Sequence, residues 1–262
     1  MKKIIPLILF FLCATAYGQQ TDKQPNRRSA TVSGANLGLI PTPQRVEMGN
    51  GVYKGKKPYW SHKTKRIQVD SLPAERNMDE AYQIVIDKKN ITVRYITAAG
   101  WNYACYTLKQ LEQLYDTLPC MTITDWPAYR YRVWMDDQSR GPVTHSKYRL
   151  EQQWRLDCLK YNAYTYYTEH TLYQEEYPDL APAYAHAKNY PRLGTQPITN
   201  LQLFAHAEKT LRIPYYQHLM DSRANFNPAN EETYTFLFDR IVEAMKQTPS
   251  EFFIINCDET EL

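Results

Sequence analysis

The sequence predicts an α+β accessory domain followed by part of a (β/α)8-type barrel, truncated after about its fourth strand. Three observations support this fold class. Over residues 37–125, short strand patterns surround one amphipathic helix. Over residues 126–262, strand and helix patterns alternate, which predicts a parallel sheet with right-handed crossovers. The last strand pattern, Phe252–Cys257, begins with four consecutive bulky apolar residues, which is typical of a strand buried on both faces.

The accessory domain is predicted from local patterns. The segment Asp87–Asn90 separates two strand patterns and reads as a hairpin turn. Leucines and alanines recur at steps of three and four residues in the helix, which gives it one apolar face. We predict strands at about 66–69, 82–86, 91–95 and 120–124, and a helix at 101–115.

The second unit is predicted to place polar residues after each of its strands. We predict strands at about 132–135, 163–167, 213–216 and 252–257, and helices at 147–160, 200–211 and 231–247. The polar residues that follow these strands are, in order, Arg140, Glu169, His218 and the adjacent pair Asp258 and Glu259. Active sites of parallel α/β proteins form at the carboxyl ends of the strands. We therefore expect these five side chains to share one site.

The length of the second unit sets a limit on the barrel. A closed eight-stranded barrel needs about 250 residues. Only about half of that follows residue 126, so we expect a fragment that ends after strand four.

The first residues predict export. Residues 1–18 are predicted to form a signal peptide, because two lysines precede an apolar core at 4–16 that is too short to span a bilayer. Ala16 and Gly18 provide small residues for cleavage. We therefore expect a periplasmic protein, with a lipid anchor at Cys13 as the alternative. No later stretch is apolar enough to predict a membrane span.

Composition excludes little but favours one ligand class weakly. The net charge is +3, from 31 basic and 28 acidic residues, which argues against nucleic acid as a partner. The 22 tyrosines and five tryptophans suit a protein that stacks aromatic rings on sugars, and they suit a packed core equally well. The cysteines show no CxxC pair or metal-ligand spacing, so we predict buried free thiols at Cys105, Cys120, Cys158 and Cys257.

Several motifs together resemble the family 20 glycoside hydrolases, the β-N-acetylhexosaminidases. The motifs that carry the resemblance are Ile40–Gln44, Gly100–Leu111, Ile123–Pro127 and Asn256–Thr260. The resemblance covers nearly all of the predicted mature chain. It departs at strand three, which usually ends in a Gly-His pair in this family. The nearest residues to that pair are Met220 and Asp221, with His218 a few positions earlier.

The resemblance implies substrate-assisted hydrolysis of a glycan with a terminal N-acetylhexosamine. In that scheme the 2-acetamido oxygen of the substrate attacks the anomeric carbon. Asp258 would orient the acetamide, and Glu259 would act as general acid and then as base. Arg140 would hold sugar hydroxyls, while Glu169 and His218 would bind substrate or serve only as polar residues of the rim. The scheme needs no metal and no cofactor.

Two other interpretations remain open from the sequence. The chain could be a non-catalytic remnant that binds a glycan or a partner protein. It could also be an unrelated periplasmic barrel enzyme with a different acid pair.

Overall fold

A computed structural model of the chain describes residues 37–75, 78–137, 146–167, 196–247, 252–257 and 259–260. The predicted signal peptide lies outside the described residues. So do three of the predicted site residues, namely Arg140, Glu169 and Asp258. Glu259 and His218 are described.

The first unit is a five-stranded sheet with one long helix. Its elements are β1 (Arg45–Val52), β2 (Lys65–Gln68), a 3-10 turn (Met78–Glu80), β3 (Tyr82–Ile86), β4 (Ile91–Tyr95), α1 (Ala98–Leu114) and β5 (Pro119–Asp125). The strand order is β1-β5-β3-β4-β2, with β2 parallel to β4 and the other pairs antiparallel. The predicted strands and helix of this unit are confirmed to within a few residues, whereas β1 was not predicted.

Local sequence explains the centre of this sheet. In β3 the side chains of Tyr82, Ile84 and Ile86 are buried, as the period of two requires for one core face. The Asp87 carboxylate accepts hydrogen bonds from the backbone N–H groups of Lys89 (2.6 Å) and Asn90 (2.8 Å), which closes the predicted hairpin turn.

Gly100 allows α1 to lie close against the segment before β3. A Cβ atom at Gly100 would lie 2.5 Å from the carbonyl oxygen of Ala81, nearer than real Cβ atoms approach. The face of α1 that packs on the sheet includes the fully buried Leu108 and Leu111. This close packing forms the larger hydrophobic core of the chain.

The second unit is a four-stranded parallel sheet with a long helix packed on one face. Its elements are β6 (Val133–Asp137), α2 (Ser146–Cys158), β7 (Ala163–Tyr167), β8 (Gln196–Gln202), α3 (Glu208–Leu211), a 3-10 helix (Pro214–Leu219), α4 (Glu231–Gln247) and β9 (Phe253–Asn256). The strand order is β6-β7-β8-β9, and each neighbouring pair is parallel. In the part of the chain that the structure describes, this sheet is open. Closure into a barrel therefore stays a prediction. The prediction that the last strand is buried on both faces is wrong, because β9 lies at the edge of this sheet and Ile255 is 53% exposed.

The third strand of this sheet was predicted in the wrong place. The predicted helix at 200–211 is β8 followed by the short α3, and the predicted strand at 213–216 is a 3-10 helix that begins at Pro214. Asn200 and Gln202 are only 1% exposed, so β8 is buried on both faces although it carries polar residues. A strand of this composition lacks both the apolar run and the alternation that predict strands.

The two faces of the sheet differ in character. Leu201 and Leu203 pack with Leu237 and Ala244 of α4 in the second hydrophobic core. Because strand residues alternate, Asn200, Gln202 and Asn256 lie on the opposite face. There the Asn256 side-chain amide donates a hydrogen bond to the Asn200 side-chain oxygen.

The sheet is concave on this amide-bearing face. Nδ2 of Asn200 lies 3.7 Å from the sulfur of Met135, although β7 separates their strands. At the other end of the sheet, the rings of Tyr131 and Phe252 pack with centroids 4.4 Å apart, across the gap between the two edge strands. Side chains of non-adjacent strands meet in this way only when a sheet curls.

Two ion pairs join the units, and one of them is buried while the other is partly buried. Nζ of Lys160 lies 2.8 Å from the Asp125 carboxylate, and the side chains are 10% and 9% exposed. Lys160 also donates to the hydroxyl of Tyr82 at 2.9 Å. Nη2 of Arg132 lies 2.6 Å from the Glu80 carboxylate. Since Arg132 precedes β6 and Lys160 precedes β7, these pairs fix the amino ends of the parallel strands to the first sheet.

The four cysteines among the described residues form no disulfide, as predicted, but they are not all buried. Cys120 is buried, and Cys105 and Cys158 are half-buried. Cys257 is exposed because it lies just beyond β9, where the chain leaves the sheet.

Candidate functional site

A histidine and a glutamate meet where two neighbouring parallel strands end. His206 follows the last residue of β8 by four positions, and Glu259 follows the last residue of β9 by three. The two strands are in register at Gln202 and Asn256. Nε2 of His206 lies 3.0 Å from a carboxylate oxygen of Glu259. The pair therefore sits at the carboxyl end of the sheet, where α/β proteins place their active sites.

Both residues of the pair have unusual backbone conformations. The φ angle is 51° at His206 and 51° at Glu259. A positive φ is uncommon for residues other than glycine and costs free energy that the surroundings must supply. Residues held in this way cluster at functional sites.

The pair is supported from the sheet below it. The backbone N–H of Leu203 donates to the carbonyl of Asn256 at 3.0 Å, which extends the β8–β9 ladder past the last paired strand residues. The hydrogen bond between Asn256 and Asn200 ties the same two strands together through their side chains. These contacts fix the relative position of the segments that carry His206 and Glu259.

The two side chains of the pair differ in exposure. The His206 side chain is 14% exposed and the Glu259 side chain is 68% exposed. The imidazole is thus held by its surroundings, while the carboxyl group can reach a ligand. A carboxyl group exposed at a strand end is a side chain of the type that serves in general acid–base catalysis, and the neighbouring imidazole can restrict its position. Within the described residues, no group of three or more His, Cys, Asp or Glu side chains could hold a metal ion.

The structure describes the positions of only some of the predicted site residues. Glu259 lies at the end of β9, where the sequence predicted it. Arg140, Glu169 and Asp258 lie outside the described residues, so their positions stay predictions. The predicted position of His218 at a strand end is wrong, because His218 lies in the 3-10 helix. Its Nε2 pairs with the exposed Glu232 carboxylate at 3.0 Å.

Sequence reasoning missed His206, although a signal for it was present. Ala205 and His206 form a small residue followed by histidine, similar to the Gly-His pair that the resemblance required. The signal was overlooked because 200–211 was assigned to a helix, which moved the expected strand end by more than ten residues. With β8 placed at Gln196–Gln202, Ala205–His206 falls just beyond the strand.

Comparison with a protein-family model identifies part of the chain. Residues 52–126 match the model described as glycosyl hydrolase family 20, domain 2. This match covers β2 to β5 and α1, but only the last residue of β1. No curated protein matches the chain significantly by sequence.

Comparison with solved structures extends the likeness to both units. A β-N-acetylhexosaminidase crystal structure matches with a TM-score of 0.67 and 17% identity, covering 87% of this chain and 55% of the other. The β-N-acetylhexosaminidase of Bacteroides fragilis matches with a TM-score of 0.61 and 19% identity, covering 82% and 55%. An inactive mutant of the exo-β-N-acetylglucosaminidase of Vibrio harveyi matches with a TM-score of 0.66 and 17% identity, covering 89% and 48%.

These comparisons confirm the resemblance predicted from the sequence. Part of the chain matches the model for domain 2 of glycosyl hydrolase family 20. Over both of its units, the chain shares the fold of β-N-acetylhexosaminidase structures. The chain spans about half the length of the solved structures that it matches.

Proposed function

We propose that the chain is the amino-terminal part of a glycoside hydrolase that removes terminal β-linked N-acetylhexosamine from a glycan. The observation that carries this proposal is the pairing of His206 with Glu259 at 3.0 Å, at the ends of adjacent parallel strands. The match to family 20 domain 2 and the shared fold support the substrate class. As the sequence suggests, the protein acts after export to the periplasm.

The proposed reaction is retaining and substrate-assisted. The acetamido oxygen of the substrate attacks the anomeric carbon while Glu259 gives its proton to the leaving oxygen. The bond to the leaving group breaks, and a cyclic oxazolinium forms. Glu259 then takes a proton from water as the water attacks the anomeric carbon and reopens the ring. His206 holds Glu259 in place during both steps.

The other site residues take roles that follow from the resemblance. Asp258, which directly precedes Glu259, orients the acetamide and stabilises its developing positive charge. Arg140 and Glu169 bind sugar hydroxyls. His218 has no part in this scheme, because it lies in a surface 3-10 helix.

The scheme takes place in a (β/α)8 barrel of which β6–β9 form the first four strands. Two observations support the barrel. The sheet is parallel throughout, and side chains of non-adjacent strands meet on its concave face, as in the pairs Asn200 with Met135 and Tyr131 with Phe252. Closed barrels require strands to tilt and curl in this way.

Replacement of Glu259 tests the proposed function. In the protein, with any sequence that follows residue 262 included, Glu259→Gln should lower kcat for an aryl β-N-acetylglucosaminide by about 10²–10⁴-fold, as expected for loss of a general acid. The matched control is Glu232→Gln. Glu232 forms a histidine pair of the same length and is 72% exposed, against 68% for Glu259.

Two outcomes would contradict the proposal. Unchanged turnover in Glu259→Gln would remove Glu259 from the acid role. Equal turnover of a substrate that lacks the acetamido group would show that the substrate takes no part in the reaction, which would indicate a different glycosidase mechanism.

A further inference from the structure

A recess lies at the junction of the two units, at the opposite end of the parallel sheet from Glu259. Its volume is about 190 Å³. It opens beside Arg132 and Lys160, which precede β6 and β7, whereas Glu259 follows β9. Because these strands are parallel, the recess and the His206–Glu259 pair occupy opposite ends of the sheet.

The charged groups in the wall of the recess are paired with each other. Arg132 bonds to Glu80 at 2.6 Å, and Lys160 bonds to Asp125 at 2.8 Å. A charged ligand would lose hydration without finding a counter-charge that is not already engaged. The wall therefore favours a neutral ligand.

The remaining lining combines aromatic and uncharged polar side chains. Trp126 and Pro127 contribute apolar wall, and Tyr129, which also lines the recess, is 75% exposed. Thr42 and Gln44, both exposed, add a hydroxyl and a carboxamide to the lining. A pyranose ring presents C–H groups on its faces and hydroxyls around its edge. It can therefore pack on an aromatic face while its hydroxyls bond to neutral groups around the opening.

The backbone on two sides of the opening is held in place by the same residues that join the units. The Tyr129 carbonyl accepts a hydrogen bond from Arg132 at 2.7 Å. The Gln44 backbone N–H donates to the Asp125 carboxylate at 3.1 Å. A recess fixed before a ligand arrives loses less conformational entropy on binding.

The size of the recess limits what it can hold. Its volume is below the range of about 300–1,000 Å³ that is usual for drug-sized ligands. One six-membered sugar ring is a ligand of suitable size, whereas a whole oligosaccharide would extend out of the opening past Tyr129.

We propose that this recess is a second glycan-binding subsite, which takes one neutral pyranose ring packed against Tyr129. The identification of that ring as part of an N-acetylhexosamine glycan rests on the proposed function. The neutral, ring-stacking character of the ligand rests on the recess alone. The subsite holds a glycan at a distance from the strand ends where hydrolysis takes place.

Titration of the intact chain with the N-acetylglucosamine trisaccharide tests this subsite. The indole N–H signal of Trp126, identified by its loss in Trp126→Phe, should shift and saturate in an NMR titration. Tyr129→Ala should weaken that binding about tenfold, since the main stacking surface is removed. The matched control is Tyr215→Ala, because Tyr215 is also 75% exposed but lies in the 3-10 helix after α3. It should leave the titration unchanged.

Several results would overturn the subsite. They are the absence of a saturable shift at Trp126, an unaltered titration in Tyr129→Ala, or equal weakening by Tyr129→Ala and Tyr215→Ala. Equally tight binding of glucuronate, a charged pyranose, would contradict the predicted neutrality.

A further variant separates this inference from the proposed function. Glu259→Gln should leave the Trp126 titration intact, because Glu259 lies at the other end of the sheet. If the protein shows no hydrolysis while the Trp126 signal still titrates, the proposed function fails and the subsite stands. Loss of the titration in Glu259→Gln would overturn the subsite, because binding at the strand ends would then cause the shift.

Discussion

The two ends of the parallel sheet each carry ion pairs, but the pairs differ in exposure. At the amino ends of the strands neither pair has a well-exposed partner, with 10% and 9% exposure for Lys160 and Asp125 and 17% and 18% for Arg132 and Glu80. At the carboxyl ends, His206 is 14% exposed and Glu259 is 68% exposed. An ion pair with two buried partners can hold structural elements together. An ion pair with one solvent-exposed partner can also contact a ligand. The same division between stability and activity is found at the two ends of barrel enzymes.

Backbone strain falls at the same two ends. Among the described residues, the non-glycine positions with positive φ are Lys160, His206 and Glu259. At Lys160, the φ of 64° belongs to the turn from which its side chain reaches Asp125. At His206 and Glu259, positive φ belongs to the two segments whose side chains meet. Strain therefore accompanies a structural contact at one end and a candidate catalytic contact at the other.

Lys160→Met should produce the largest loss of stability. It leaves the Asp125 carboxylate buried without its cation, a change that typically costs about 3–5 kcal/mol. Burial lowers the pKa of Lys160, and the nearby Asp125 opposes that shift, which agrees with a pair that depends on both partners. Denaturant unfolding followed by circular dichroism measures the change in the free energy of unfolding.

Two further variants control the Lys160 experiment. Lys246→Met, at an exposed position of α4, should change the free energy of unfolding by less than about 0.5 kcal/mol. Adding Asp125→Asn to Lys160→Met should return part of the lost stability, because it removes the uncompensated charge. A loss below about 1 kcal/mol in Lys160→Met would show that the junction does not depend on this pair.

Thiol reactivity should distinguish the strand-end cysteine from those near the junction. Burial raises the pKa of Cys105 and of Cys158 from 9.0 to about 11. At pH 8 each therefore has about 100-fold less thiolate than a thiol of ordinary pKa. Cys257 is exposed and should react first with iodoacetamide.

Mass spectrometry of the alkylated peptides measures this order. Alkylation of Cys257 should also abolish hydrolysis, because the adduct lies next to Asp258 and two residues before Glu259. Activity that survives complete alkylation of Cys257 would place the reacting groups elsewhere. Cys257→Ser, which cannot be alkylated, is the control for damage at other sites.

His206→Ala should lower activity more than stability. Loss of the imidazole leaves Glu259 without the contact that orients it, and we expect kcat to fall by about 10–100-fold while the free energy of unfolding changes by less than about 1 kcal/mol. Steady-state kinetics and denaturant unfolding of the same preparation measure both. A large loss of stability with unchanged kcat would give His206 the structural role that we assign to Lys160.

The sequence predicted those elements whose signals are local. The hairpin of β3 and β4 alternates in burial and has a turn closed by Asp87, so short-range patterns were sufficient. Glu259 was predicted because it follows the apolar run of β9. The strand β8 was missed because its buried Asn200 and Gln202 resemble surface residues, and the Asn200 side chain is accommodated by a hydrogen bond from another strand.

The junction could not be predicted for a related reason. Lys160 and Asp125 are 35 residues apart, and nothing in either neighbourhood indicates the other. A lysine in a polar turn is usually a surface residue. Its burial here follows from the way in which two sheets pack, which is a property of the whole fold.

His218→Ala should have the smallest effect, and it completes the comparison of histidine–glutamate pairs. His218 pairs with Glu232 at the distance seen for His206 and Glu259, but its side chain is 50% exposed. Exposed pairs contribute about 0–1 kcal/mol. Glu232 also lies in the first turn of α4, where the helix dipole favours a negative charge without the histidine.

Unfolding and kinetic measurements on His218→Ala should therefore match those of the unsubstituted protein within about 0.5 kcal/mol and twofold in kcat. A tenfold fall in kcat would contradict this. It would show that a histidine–glutamate pair on the surface affects the reaction. The position of His206 at a strand end would then not explain its role.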